Sequence, residues 1–345
     1  MKVINTQLFT LLGVLFVLIV FIISITTGTV VISTSELFQL LFTNHTLPDL
    51  PTTILYEIRI PKSLSAVSAG IALSVSGYLL QTLFRNPLAS PSSLGISSGA
   101  SLGVAFVMIG SSVGISTVST LSFLHSTSVI GAAIVGAFFT TMVVLLLSLK
   151  IRSMTTMLLV GFMVGTICTA IVGIWQYISS PDQLQAFFLW SMGSLHLANL
   201  NQSIIFLIIT ISITFVIFIF SKQITIVSLG EELSKSFGIN VPRLRLMLLI
   251  TCSILAGCVT AFCGPIGFVG IIVPHIVRYT IHSNDAKKII PWVVICGASF
   301  LLICDIITSV LSHTFPLPIS LITSIIGVPI VLWILMTKSF YSTVN

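Results

Sequence analysis

Residues 54–84 read ILYEIRIPKSLSAVSAGIALSVSGYLLQTLF. Charge is confined to the start of this stretch, at Glu57, Arg59 and Lys62, and the next charged residue is Arg85. A helix needs about 20 apolar residues to cross the hydrocarbon core of a bilayer, and the uncharged part alone is that long. Working outward, similar runs recur at 8–31, 94–109, 129–149, 154–178, 204–220, 246–263, 266–281, 289–310 and 319–336. In lipid a backbone must satisfy its hydrogen bonds internally, which leaves helices or closed barrels. Runs of this length specify helices. The expectation is an all-α integral membrane protein with about ten transmembrane helices, forming one transmembrane domain over residues 1–345. The run at 266–281 is short and broken by Gly and Pro. The first run exceeds a signal-peptide core of roughly 7–15 residues, has no small-x-small cleavage site after it, and reads as a retained span.

Composition agrees. The chain is 56% hydrophobic and 6% charged over 345 residues, whereas a soluble domain carries about 25% charged residues. The net charge of +6 comes from scattered Lys and Arg rather than a basic face, which argues against nucleic acid as a partner. An even number of spans puts both termini on one side. With that side cytoplasmic, the inner segments hold Lys2, Arg85, Lys150, Arg152, Lys222, Lys235, Arg243, Arg245, Arg278, Lys287, Lys288 and Lys338, and the outer segments only Arg59 and Lys62. That asymmetry obeys the positive-inside rule. The six Cys form no CxxC pair and sit in apolar runs, where Cys behaves as a small hydrophobe. Neither a metal site nor a cofactor is expected.

Small residues crowd two spans: Ser68, Ala69, Gly70, Ala72, Ser74, Ser76 and Gly77 in one, and Gly95, Ser97, Ser98, Gly99, Ala100, Ser101 and Gly103 in the next. They suit close helix packing, or some of them line a polar pathway. The one long polar stretch is 222–245. Within it Glu231, Glu232, Leu233, Lys235 and Phe237 fit a short amphipathic helix after Gly230, with acids in the first turn as the helix dipole favours. Such a helix suits docking to a soluble partner.

Catalytic patterns are missing. There is no GxxxxGK[ST], so no P-loop for nucleotide, and no HExxH. The six His are dispersed. Asp305 is the one acid expected within a span, with no evident Lys or Arg partner. An intramembrane acid is a functional candidate by default, and a structural hydrogen-bonding role near the outer helix ends is the competing reading. The chain is not expected to be an enzyme.

Several motifs, in order, resemble the permease subunits of bacterial ATP-binding-cassette importers for iron-siderophores, haem and cobalamin, the FecCD-type permeases. They are Ile58-Arg59-Ile60-Pro61-Lys62, Gln81-Thr82-Leu83-Phe84-Arg85-Asn86-Pro87-Leu88-Ala89 and Leu94-Gly95-Ile96-Ser97-Ser98-Gly99-Ala100. Then come Trp190-Ser191-Met192-Gly193-Ser194, Ser228-Leu229-Gly230-Glu231, Gly264-Pro265-Ile266-Gly267-Phe268-Val269-Gly270, Val273-Pro274-His275 and Leu317-Pro318-Ile319. The resemblance implies the type II importer permease fold in the bacterial cytoplasmic membrane. It also implies a second permease subunit, identical or paralogous, two cytoplasmic ATPase subunits and an extracytoplasmic substrate-binding protein. The substrate implied is a metal chelate, foremost an iron(III)-siderophore, with haem or cobalamin as alternatives. An ion-gradient-driven secondary transporter is the competing class, but it would show several intramembrane carboxylates and inverted repeats.

The resemblance also assigns roles. ATPase coupling falls to Ser228, Leu229, Gly230, Glu231, Glu232, Leu233 and Gly238 in the cytoplasmic segment 222–245. Docking of the binding protein falls to Arg59 and Lys62, whose other reading is interfacial anchoring. The cytoplasmic gate falls to Ser153, Met154, Thr155 and Thr156, although Ser153 also suits a plain helix cap. Two positions depart from the family pattern: Ser309 stands where a third docking Arg is common, and Pro316 where an acid is common. Reporter fusions at Asn345 and in the loop near Asp49 are predicted to report opposite sides of the membrane. The same side for both contradicts the ten-span topology.

Overall fold

The computed structural model describes residues 6–28, 50–110, 122–148, 153–311 and 317–336. Lys2, Asp49, Lys150, Arg152, Pro316, Lys338, Asn345 and the stretch 111–121 lie outside the described residues. The described chain is helical throughout, without strands. We label its main helices α1 (Thr6–Thr26), α2 (Ile60–Phe84), α3 (Ile96–Met108), α4 (Ser122–Ser148), α5 (Met154–Ile178), α6 (Pro181–Ser191) and α7 (Leu200–Ile219). Then follow α8 (Ser221–Leu229), α9 (Glu231–Ser236), α10 (Val241–Cys263), α11 (Val269–Ile281), α12 (Ala286–Leu311) and α13 (Ile319–Met336). Seven helices are long and apolar enough to cross a bilayer, and α3, α11 and α13 are shorter apolar helices. Together these are the ten runs expected from the sequence. At 13 residues, α3 and α11 each reach only about 20 Å. Non-helical or 3₁₀ backbone at Pro91–Leu94 and 264–268 completes their length.

Helix α2 is the axis of the bundle. A short helix and a π-helical turn, Ile54–Arg59, lead into it. Pro61 follows directly on that π-helical turn, where Ile60 N–H bonds to Leu55 O and the bonding passes from the wider to the ordinary helical pattern. From Ser65 onward nearly every side chain of α2 is buried, with α12, α10, α7 and α11 packed around it. Lipid offers no hydrophobic drive for helix association, so close backbone approach supplies the contact energy. The small residues serve that end. A Cβ at Gly70 would collide with the carbonyl of Gly297 on α12, and one at Gly77 with the carbonyl of Gly270 on α11. In the same way α3 and α4 meet through Gly99, Gly103 and Gly136. Packing therefore accounts for the glycines in both small-residue runs.

The polar ends of the helices differ from the hydropathy reading. Helices α7, α10 and α12 begin three to five residues before the apolar runs, because capping residues such as Asn199 and Asn240 are polar. Helix α6 was not anticipated. It is too short for a span, and its signal is local: Ser180 and Gln183 form a capping box with Pro181 between them, as that motif requires. The polar stretch 222–245, where one short helix after Gly230 was expected, is mostly helical.

Gly77→Ala is predicted to lower the melting temperature and the yield of folded protein. Gly173→Ala, with nothing within 4 Å of the added carbon, is predicted to leave both unchanged. Thermal unfolding in detergent compares the two.

Candidate functional site

The bundle has two decorated ends. Helix α6 lies at one end of α7, and α8 and α9 lie at the other. At the α9 end the chain leaves α8 through Gly230, whose φ of 137° is open to glycine and strained for other residues. Helix α9 then starts with Glu231 and Glu232, as the sequence predicted. Ser234 is buried beneath it and donates to the carbonyls of Gly230 and Ile226. Glu231 pairs with Arg245 on α10, which fixes α9 to the bundle. Leu229, Leu233 and Phe237 are 55%, 51% and 67% exposed, beside exposed Glu232 and Lys235. All the residues expected to couple to an ATPase, Ser228 through Leu233 and Gly238, thus fall in one short raised segment. Arg85 was missing from that expectation. It ends α2 in a left-handed conformation and reaches the carbonyl of Val227 at 3.5 Å.

The start of α5 lies at the same end. Ser153 caps the helix by accepting from the Thr156 N–H at 3.4 Å, so its capping role is present in the geometry. Thr155 and Thr156 are exposed. Farther along, Leu159, Phe162, Met163, Thr166 and Ile174 continue an exposed face. The opposite face packs through Gly161 and Gly165 onto Leu94 and Gly95, residues of a motif singled out in the sequence.

At the α6 end the two basic side chains point inward. Arg59 is buried, and its Nη1 donates to the carbonyls of Ile25 at 2.8 Å and Thr26 at 3.0 Å. These are terminal carbonyls of α1, where a cation also complements the helix dipole. Lys62 Nζ lies 2.8 Å from Asp305 Oδ1 and donates to Ser309 as well. Asp305 Oδ2 accepts from Ser24 at 2.9 Å, and Ser24 meets Ser63 at 2.8 Å. The absence of a basic partner for Asp305, expected from the sequence, is therefore corrected: the partner is Lys62, distant in the chain and brought close by packing of α2 on α12. Ser309, where the family pattern favours a docking Arg, is a ligand of that lysine. Nearby His196 lies between α6 and α7. Desolvation first, and Lys62 second, push its imidazole below the ordinary value, against a smaller opposing pull from Asp305. Among the described residues no group of three or more His, Cys, Asp or Glu is placed to hold a metal ion.

Three further motifs meet at the same end. Ser194 N–H donates to Cys263 O at 2.8 Å, and Ser320 donates to Pro265 O at 2.8 Å. The Trp190–Ser194, Gly264–Gly270 and Leu317–Ile319 stretches thus form one joint between α6, α10 and α13.

Residues 16–337 match the FecCD transport family. The chain is 35% identical to the hemin transport system permease protein of Yersinia pestis, over 82% of this chain and 83% of that one. It is 33% identical to a probable iron chelatin transport system permease protein of Helicobacter pylori, over 82% of each. A solved structure, an inward-facing conformation of a metal-chelate type ABC transporter, superposes with a TM-score of 0.81 at 26% identity, covering 97% of this chain and all of that one.

Removing one partner of a buried ion pair costs about 3–5 kcal/mol, because the other charge is left uncompensated, while replacing both by apolar groups is far milder. Lys62→Met is therefore predicted to destabilise the protein strongly, and Lys62→Met with Asp305→Leu to recover most of the loss. Unfolding in detergent of the single and double variants measures this.

Proposed function

The chain belongs to the FecCD transport family and is an ABC importer permease, and from that premise we propose that its cargo is an iron(III)-siderophore crossing the bacterial cytoplasmic membrane. As a permease it is a transport protein and not an enzyme. It works with ATPase and partner permease subunits, so energy enters from outside the chain. We place two ATPases on the cytoplasmic side, a second permease of the same or a paralogous sequence across the pathway, and a binding protein outside. Both termini are then cytoplasmic, in keeping with the distribution of Lys and Arg.

The observation that carries the coupling role is the exposed apolar triplet of Leu229, Leu233 and Phe237 on a segment whose own fold is secured by Ser234 and Arg245. Three exposed apolar side chains between charges, on and flanking one short helix, suit a groove on a soluble partner. The start of α5, from Ser153 to Thr156, serves as the cytoplasmic gate in this reading, and its exposed face borders the pathway. Arg59 and Lys62 are read differently from the family assignment. Both are already satisfied inside the chain, so they hold the external ends of α1, α2 and α12 in place rather than reach for a binding protein.

A metal chelate as cargo rests on the relatives. One is named for iron chelatin and one for hemin. Haem or cobalamin is the second reading, and for haem the hemin relative stands two points of identity above the iron chelatin one. A gradient-driven secondary transporter fits less well. The intramembrane acid Asp305 is neutralised by Lys62 and offers no chain of carboxylates for protons.

A deletion strain is predicted to lose growth on ferric siderophore as sole iron source and to keep growth on haem. Loss on haem alone favours the second reading. Leu233→Glu, at an exposed site, is predicted to keep the permease folded and to weaken co-purification of the ATPase by tenfold or more, about 1.4 kcal/mol. Wild-type co-purification and uptake in this variant would contradict the coupling role.

A further inference from the structure

Helix α11 carries a proline at its second turn, Pro274. Proline has no N–H, so the carbonyl of Gly270, four residues earlier, loses its helical donor. That carbonyl is enclosed, because Gly270 is buried against α2 at Gly77. Buried backbone carbonyls are nearly always paired.

The donor comes from α2. Gln81 is 3% exposed, and its Nε2 donates to Gly270 O at 3.1 Å and, at 3.4 Å, to Ile271 O. Its Oε1 accepts from Arg278 Nη1 at 2.7 Å. A carbonyl only accepts and a guanidinium only donates, so one orientation of the amide satisfies both. Arg278 sits one turn beyond Pro274. Its other contacts are also on α2: Nη2 to Thr82 Oγ1 at 3.5 Å, and the guanidinium carbon 5.4 Å from the centre of the Tyr78 ring. Its charge is thus met by neutral groups of one helix. His275 adds a contact of 2.9 Å to the carbonyl of Pro87, just past α2. One turn along α2 from Gln81, Arg85 reaches Val227 O and lies against Gly230, where an added Cβ would come within 2.9 Å of its Nη2.

We infer that Gln81 is a positioning residue for transport: its amide supplies the hydrogen bond that Pro274 withholds from Gly270 and, through Arg278, joins α11 to α2 as one unit. Because Arg85 on the same helix contacts the α8–α9 segment, a push delivered at that segment reaches α2 and α11 together. The second half of this inference rests on the importer reading above. The first half does not.

The test is a double-variant cycle on the complete permease–ATPase complex. Gln81→Leu removes the donor. Pro274→Ala gives residue 274 an N–H for the Gly270 carbonyl. Gln81→Leu also removes the acceptor for Arg278 in both backgrounds, so it is expected to lower the melting temperature in each, and by less in the Pro274→Ala background. Equal cost in both backgrounds overturns the assignment, since independent sites add. If Gln81→Leu yields no folded complex, Gln81→Glu serves in the same cycle, for it keeps the shape and the acceptor for Arg278 while its ionised form has no donor. In proteoliposomes, with ferric siderophore delivered by its binding protein, Gln81→Glu is expected to move several-fold less cargo per ATP hydrolysed, and Pro274→Ala to restore part of that ratio. An unchanged ratio overturns the positioning role even where the melting cycle is non-additive. A wild-type complex that moves no ferric siderophore refutes the siderophore reading, and the melting cycle then decides the hydrogen-bond assignment alone.

Discussion

Helix α2 has protein on nearly every side, and the rest of the bundle follows from that condition. A helix surrounded by four others cannot keep large side chains along all its faces. It needs small residues where backbones cross, and it has them at Gly70 against α12 and Gly77 against α11. The hydroxyls of Ser68 and Ser76 cost little in such a place, because each donates to a carbonyl of its own helix. Enclosure also explains why this stretch is the least apolar of the long spans while being the most buried. Helix α1, at the rim of the bundle, shows the reverse pattern, with a row of exposed Leu, Ile, Val and Phe.

Charge within the span is costly unless paired, and α2 carries it only at its ends. At one end Arg59 and Lys62 turn inward to α1 and α12. At the other, Gln81 and Arg85 face α11 and the α8–α9 segment. The two ends therefore do mechanical work of the same kind. Each fastens neighbouring helices to the axis at a point where polar atoms would otherwise be unpaired. On this account α2, α11 and α12 form one body.

Much of this was legible in the sequence. The ten apolar runs correspond to ten helices because lipid leaves the backbone few choices, and the acids after Gly230 announced α9 correctly. What local reading missed was contact between distant residues. Nothing near Asp305 in the chain points to Lys62, and the pair exists only because α2 crosses α12 there. Likewise Gln81 and Pro274 belong to separate motifs, and neither reveals that one supplies what the other lacks. Arg59 was legible as a charge at the start of a span, but its direction depends on where α1 ends. Helix α6 was overlooked because hydropathy registers spans, although its capping box was in plain view.

The claim that α2, α11 and α12 move as one body is open to direct measurement. Spin labels at exposed Leu88, just past α2, and Tyr279 on α11 report their separation at the α9 end, and labels at exposed Glu57, in the turn before α2, and Leu311 on α12 report theirs at the other. Pulsed electron resonance on the complete transporter, with and without nucleotide, gives both distances. The account predicts that neither distribution shifts its maximum between states. A shift of about 5 Å in either, one helical turn, would contradict it.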